Sequence, residues 1–366
     1  MNRSPALACA LLLLGCPAVD EPLDDDDDSA VDPAGRAVLL YGAYTGDATV
    51  ATSDLEGGDV DDLLLGLAGS DWVLDASDGD PWLLGRFGSD LVRRYPGPDF
   101  AAPTLEFSTG SPSNPQALAV CAGRLFVSRM GLLQDGGGSD VAVYDPQTGA
   151  ALGTIDLSDR AEGADGSSEP HAVVAHDGTI YVGLQRLDTE SLVWAPDPVG
   201  QVVAIDCASQ QVVDSWDTGP NPFLSAWAGD PFALLVKTDQ GLQTIDPEGA
   251  GVATLYDGTI EGGDLNGAAA SGDHAVFSLH WPNTARTAVR CVDRTTGDVV
   301  EQSQNSSWGL DMKAAPDGAV WAIWRDHWNT PDADEHGFAR YDPATCTALG
   351  PWLQFDSEPL DVAFLP

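Results

Sequence analysis

Gly123-Arg124-Leu125-Phe126 opens a β-forming run straight after a glycine turn, and Tyr144-Asp145-Pro146-Gln147-Thr148-Gly149 ends the following run in an aspartate turn. Both marks recur. The first returns as Gly79-Asp80-Pro81-Trp82, Gly178-Thr179-Ile180-Tyr181, Gly229-Asp230-Pro231-Phe232 and Gly318-Ala319-Val320-Trp321, as Gly272 to Phe277 with two extra residues, and more weakly as Gly35-Arg36-Ala37-Val38. The apolar markers stand at 38, 82, 126, 181, 232, 277 and 321, separated by 44, 44, 55, 51, 45 and 44 residues. A four-stranded propeller blade has this period. The two long intervals trace to polar loops at 156–170 and 186–200.

The second mark follows the first in each unit: Ile205-Asp206, Ile245-Asp246-Pro247, Val292-Asp293-Arg294-Thr295-Thr296-Gly297 and Tyr341-Asp342-Pro343, with Ser53-Asp54 fitting and Tyr95-Pro96 departing. An aspartate at such a turn accepts backbone N–H groups two residues on, and glycine accepts a left-handed conformation. Each unit therefore reads as strand A, glycine turn, strand B, loop, strand C, aspartate turn, strand D. The last residues, Pro359 to Pro366, read as a strand A without its B, and the first copy has strands B to D without an A. Pairing them closes a ring with no open edge. The expected fold is all-β: a seven-bladed propeller over residues 35–366 whose C-terminal strand completes the first blade. A six- or eight-bladed ring is the alternative, since the first copy is the weakest.

These repeats resemble the YncE-like and quinoprotein-like propellers, with their Asp-Gly-x-φ-aromatic strand and φ-Asp-x-x-Thr-Gly turn. The resemblance covers residues 35–366, and its motifs are structural, shared by proteins of unrelated function. The Gly-His and Trp-Asp signature of WD40 repeats is missing.

Charge bounds the partners. Asp and Glu number 57 against 16 Lys and Arg, a formal net charge of −41, and the only lysines are Lys237 and Lys313. Such a surface repels a phosphate backbone, so nucleic acid is excluded as a partner, and so is unaided adsorption to an anionic membrane. A soluble, self-repelling monomer is expected.

The N-terminus reads as an address. Arg3 precedes an apolar run from Ala6 to Gly15, of signal-peptide length and too short to span a bilayer. Leu13-Leu14-Gly15-Cys16 resembles the lipobox of bacterial lipoproteins, which implies cleavage after residue 15 and lipid on Cys16. An ordinary secretory signal with Cys16 incidental is the alternative. Residues 16–34, with the acidic run Asp24 to Asp28, read as a disordered tether. Pro17, in place of aspartate, points to the outer membrane, on its periplasmic face or at the cell surface, rather than to the inner membrane.

Setting aside Cys9 and Cys16 leaves Cys121, Cys207, Cys291 and Cys346. An even number in an exported chain permits two disulfides in any of three pairings. A Cys291–Cys346 bridge is predicted, because the first lies in a strand C and the second in the C–D turn of the next blade. Four free buried thiols are the alternative. No spacing suits zinc.

Candidate site residues follow from the repeat, because ligands usually meet a propeller on the face of its D–A and B–C loops. Eleven or twelve residues before the markers stand Ser70, Asn114, Glu169, Asn221 and Asn266, and Glu358 precedes the closing strand. Oxygen donors so arranged suit Ca²⁺, with Glu169, Asn114 and Asn221 as the candidate ligands. The competing reading makes each residue a local cap of strand A. The B–C loops add Arg86, Arg129, Arg186, His280, Trp281 and the cluster Arg325-Asp326-His327-Trp328, while His171 is a candidate general base beside Glu169. There is no nucleophile elbow, phosphate loop, His-Glu-x-x-His or quinone signature. Two functions remain: a binding or scaffold module for a protein, glycan or small ligand, and a Ca²⁺-dependent lactonase-like hydrolase or lyase working in the channel.

Overall fold

The computed structural model describes residues 35–366 except 43–45, 70, 132–137, 162–164, 189–194, 228–230, 250, 261, 282–285, 306 and 326–335. The signal segment, Cys16, the acidic tether, Ser70, Asp326, His327 and Trp328 lie outside the described residues.

The described strands form seven four-stranded antiparallel sheets. Six are simple meanders in chain order: blade 2 from β4 (Trp72–Asp75) to β7 (Leu105–Ser108), blade 3 from β8 (Pro115–Cys121) to β11 (Ala151–Asp156), and blade 4 from β12 (Pro170–His176) to β15 (Gln211–Thr218). Blade 5 runs from β16 (Phe223–Trp227) to β19 (Gly251–Asp257), blade 6 from β20 (Asp264–Ser271) to β23 (Val299–Asn305), and blade 7 from β24 (Trp308–Ala314) to β27 (Thr347–Ala348). Blade 1 is composite: β1 (Arg36–Gly42), β2 (Ala48–Asp54) and β3 (Asp61–Leu67) take β28 (Pro359–Leu365) as their strand A. Register runs from Arg36↔Leu365 to Tyr41↔Pro359, with an irregularity between Leu40 and Tyr41.

The seven A strands touch in one cycle, β28 to β4, β8, β12, β16, β20, β24 and back to β28. They are therefore the inner wall of a closed ring, and the expected seven-bladed architecture with its C-terminal closure is what forms.

The repeat is spaced as it is because its markers are core. Val38, Trp82, Phe126, Phe277 and Trp321 have no exposed surface. Tyr181 is buried too, whereas Phe232 is half-buried and stacks on His176, ring centroids 3.7 Å apart. Alternation then divides each central strand between two neighbours. In β1, Ala37, Leu39 and Tyr41 pack with Trp321, Ile323 and Phe338 of blade 7, while Val38 and Leu40 pack with Trp72, Leu74 and Leu83 of blade 2. No blade has an apolar face it could bury alone, so the chain folds as a ring.

The turns follow the chemistry read from sequence. Ala122 and Gly123, and likewise Asp177 and Gly178, both adopt positive φ, the two-residue hairpin geometry matched to strand twist. At the C–D turns, Asp145 Oδ1 accepts the N–H groups of Gln147 and Thr148 at 2.9 Å, and Asp293 Oδ1 those of Thr295 and Thr296 at 2.8 and 2.7 Å. Asp54, Asp206, Asp246 and Asp342 do likewise. These backbone donors hold the Asp145 and Asp293 carboxyls below the usual range, and at Asp206 the Ser209 hydroxyl is the main cause.

The four cysteines among the described residues are paired. Cys291–Cys346 joins blades 6 and 7 with Cα atoms 5.6 Å apart, and Cys121–Cys207 joins blades 3 and 4 at 5.9 Å. The structure thus favours two bridges over four free thiols. No described helix is long and apolar enough to cross a membrane.

Candidate functional site

The residues before the A strands share a backbone state. Asn114, Glu169 and Asn221 have φ of 45°, 42° and 56°. Asparagine is among the side chains that tolerate the left-handed region best, so its recurrence there has a conformational cause. Each side chain also holds a local partner. Asn114 Oδ1 accepts the Phe87 N–H at 3.2 Å, and its Nδ2 donates to the Gly131 carbonyl at 2.9 Å, bracing the B–C loops of blades 2 and 3. Glu169 Oε2 accepts the Leu187 N–H at 3.0 Å, and Asn221 Nδ2 donates to Asp239 Oδ1 at 3.1 Å. Asn266 lies at the irregularity of β20, its Nδ2 buried without a partner among the described residues.

A calcium cage does not emerge from this arrangement. The Asn114 oxygen and one Glu169 oxygen already accept backbone N–H groups. Among the described residues no group of three or more His, Cys, Asp or Glu side chains is placed to hold a metal ion. The capping reading fits Asn114, Glu169 and Asn221 better than the ligand reading.

The B–C loop cations are braces as well. Arg129 grips Asp140 with Nε and Nη2 at 2.6 and 2.7 Å, and Arg86 binds Asp71 at 2.6 Å and Gln116 Oε1 at 3.0 Å. Arg186 donates to the carbonyls of Arg160 and Val199. His280 is buried, its Nδ1 2.8 Å from Thr287 Oγ1 on the adjacent strand. Arg325 and Glu358 do come together: Arg325 Nε donates to the Pro359 carbonyl at 2.8 Å and stands 3.9 Å from Glu358 Oε2.

The chemically richest place is the axis, lined by residues the repeat did not single out. Both lysines of the chain are there. Lys313 on β24 pairs with Asp361 on β28 at 2.5 Å, and Asp361 Oδ2 accepts the Leu74 N–H of β4 at 2.8 Å. Three consecutive blades meet at this contact. Burial alone would depress the Lys313 ammonium, but Asp361 and Asp311 more than offset it and hold it above the ordinary lysine range. Burial raises Asp75 and lifts Asp311 to about 6.

Lys237 sits higher on the axis, at the B–C end of β17 (Ala233–Thr238). Its Nζ stands 4.2 Å from the Phe223 ring centroid and 4.0 Å from Asp239 Oδ1. Burial lowers it, against the opposing pull of Asp239, Asp311 and Asp264. His171 meets the same Phe223 ring edge-on at 4.7 Å. Burial, with the nearby charges of Arg86 and Lys237, depresses it to about 3, and its Nδ1 is buried without a partner among the described residues. An imidazole so weakly basic is a poor general base at neutral pH. The role suggested by its sequence position is not supported by its surroundings.

The signal for this axial group was present in composition, in the rarity of lysine. Strand periodicity could not say that two lysines 76 positions apart would share one channel.

No protein-family model matches the chain, and no curated protein sequence matches it. Among solved structures it is similar to a candidate 6-phosphogluconolactonase of Bacteroides fragilis, with TM-score 0.64 and 13% identity, covering 93% of this chain and 100% of that one. The periplasmic gluconolactonase of Pseudomonas aeruginosa gives TM-score 0.62 and 16% identity over 90% and 99%. Hydrazine synthase of Kuenenia stuttgartiensis gives 0.55 and 14% over 81% and 90%. At these identities the likeness is one of fold, and the fold it shows is the seven-bladed β-propeller.

Proposed function

We propose that this chain is an exported, lipid-anchored binding module of YncE-like type, whose ligand enters the axial mouth on the D–A and B–C face. The observation that carries the reading is the placement of charge. A chain of net charge −41 uses both of its lysines at the axis, among carboxylates, His171 and Phe223 from several blades. Loop arginines, by contrast, are spent on bracing. Two disulfides suit an oxidising compartment, which supports export. Cys16 within Leu13-Leu14-Gly15-Cys16 supplies the anchor, and Pro17 favours the outer membrane. Two or more acyl chains are needed for stable anchoring, as a lipidated Cys16 would have.

A second reading, lactone hydrolysis, is favoured by one feature besides the likeness in fold to two lactonases. Asp311, at about 6, could activate water while Lys237 polarises a carbonyl. Mass spectrometry of the mature N-terminus tests the anchor; an unmodified Cys16 overturns it. Thermal-shift screening of the full chain and of Lys237→Met tests the site. The panel holds neutral saccharides, sugar acids, lactones and amino acids, with Ca²⁺ and with chelator. A ligand that stabilises only the parent chain and is released unchanged is the expected outcome. Lactone turnover abolished in Asp311→Asn would replace the binding reading with the hydrolytic one.

A further inference from the structure

We infer that the axial mouth takes a neutral polyhydroxylated ligand, such as the end of a saccharide chain, anchored by Lys237 and by the carboxylates of Asp239, Asp264 and Asp311. The inference rests on the axial binding reading above and names the chemistry of what is bound.

Lys237 is the anchor. The residue is 8% exposed, yet among the described residues its ammonium forms no hydrogen bond. It has an apolar ring at 4.2 Å and a carboxylate oxygen at 4.0 Å, beyond hydrogen-bond reach. Its stem is buried, but the ammonium is not among the fully enclosed atoms and keeps access to the mouth. Its three donors are therefore within reach of an oxygen from outside the chain.

The surroundings then select the ligand. Asp239, Asp264 and Asp311 come from blades 5, 6 and 7, and all three act electrostatically on Lys237. Burial holds the Asp239 and Asp311 carboxyls above the ordinary range, the mark of acceptors short of solvent. Asn221, bonded to Asp239 through Nδ2, leaves Oδ1 buried without a partner. Lys237 and Asp239 thus stand side by side beyond hydrogen-bond reach, with the Asn221 oxygen next to them, while Asp264 and Asp311 add negative charge from the neighbouring blades. A hydroxyl group gives one hydrogen and takes two, so a polyol can bridge from Lys237 to the carboxylates in series.

Charge argues against the alternatives. A free anion would meet one ammonium and three carboxylates inside a strongly acidic molecule. A metal ion lacks a clustered acidic ligand set among the described residues. A neutral ligand incurs the least desolvation and no net repulsion.

The test is a glycan array followed by calorimetry on the full chain, with Lys237→Met, Lys237→Arg and Asp239→Asn as variants and melting curves to confirm folding. Binding of a neutral saccharide is expected, changing by less than about twofold between roughly 50 and 500 mM NaCl. It should weaken by about tenfold or more in Lys237→Met and Asp239→Asn, with partial recovery in Lys237→Arg. If instead a carboxylate or amine ligand binds, is lost in Lys237→Met and weakens steeply with salt, the polyol inference falls while the axial reading stands. A saccharide bound equally by the parent and every variant overturns both.

Discussion

At the scale of single residues, Glu169 is the least expected feature. It adopts φ 42° without the short side chain that eases such a conformation, and it is fully buried with Oε1 lacking a partner among the described residues. Burial raises its carboxyl from 4.5 to about 7, with Asp165 and Asp197 adding to the rise. A folded-state value above the unfolded one means that the folded chain holds this proton more tightly. The contribution is complete below pH 4.5 and disappears as pH climbs towards 7. Glu169→Gln should therefore gain about 2–3 kcal/mol on the parent between pH 4.5 and 8, read as diverging urea midpoints. Parallel midpoints would show that Glu169 does not titrate in this window. His171 acts with opposite sign: depressed from 6.5 to about 3, it contributes stability above pH 6.5 that is lost as pH falls. Neither shift could be read from sequence, because each depends on which loops cover the side chain.

The elements were legible in sequence wherever local chemistry fixes them. The described glycine turns and aspartate turns form as read, because a hairpin's geometry is set by its own few residues. What the pattern missed was how the inner strands are held. An A strand presents an unpaired backbone edge to the channel, and at the closing seam Asp361 on β28 takes up the Leu74 N–H of β4 while Lys313 on β24 neutralises it. Asp361→Asn or Lys313→Met leaves one charge of this pair uncompensated near the axis. Each should cost on the order of 3 kcal/mol, less than additively in the double variant. Chemical denaturation of the two single variants and the double variant measures it. A cycle that is strictly additive would mean the contact does not secure the closure.

At the scale of the whole molecule, stability comes from contacts between blades, since every central strand is shared between two neighbours. The disulfides follow that logic, each crossing one blade boundary, between blades 3 and 4 and between blades 6 and 7. They close spans of 86 and 55 residues, so removal of either by paired Cys→Ser substitution should lower stability by about 2–4 kcal/mol. Thermal unfolding with and without reductant checks this, and an unchanged midpoint would mean the bridges are absent in solution. The candidate site also belongs to this scale. Lys237 comes from blade 5, Asp239 and Asn221 from the same blade, Asp264 from blade 6 and Asp311 from blade 7.

By itself the sequence pointed to seven blades, with six or eight left open, and to the order of strands, the glycine and aspartate turns and the closing role of Pro359 to Pro366, because these repeat at short range and each copy reports the same local physics. It also named Cys291 and Cys346 as partners, since their places in the repeat put them across one boundary. The tertiary structure alone decided which polar groups do chemistry. Residues before the A strands looked like a ligand ring by position, yet left-handed backbone geometry and local hydrogen bonds account for Asn114, Glu169 and Asn221. Lys313, Asp311 and Asp361 on the inner strands, and Lys237 at the B–C end of β17, carry no repeat signature and come together only because a closed ring gathers its blades round a common axis, where burial and opposing charge set what each group can bind.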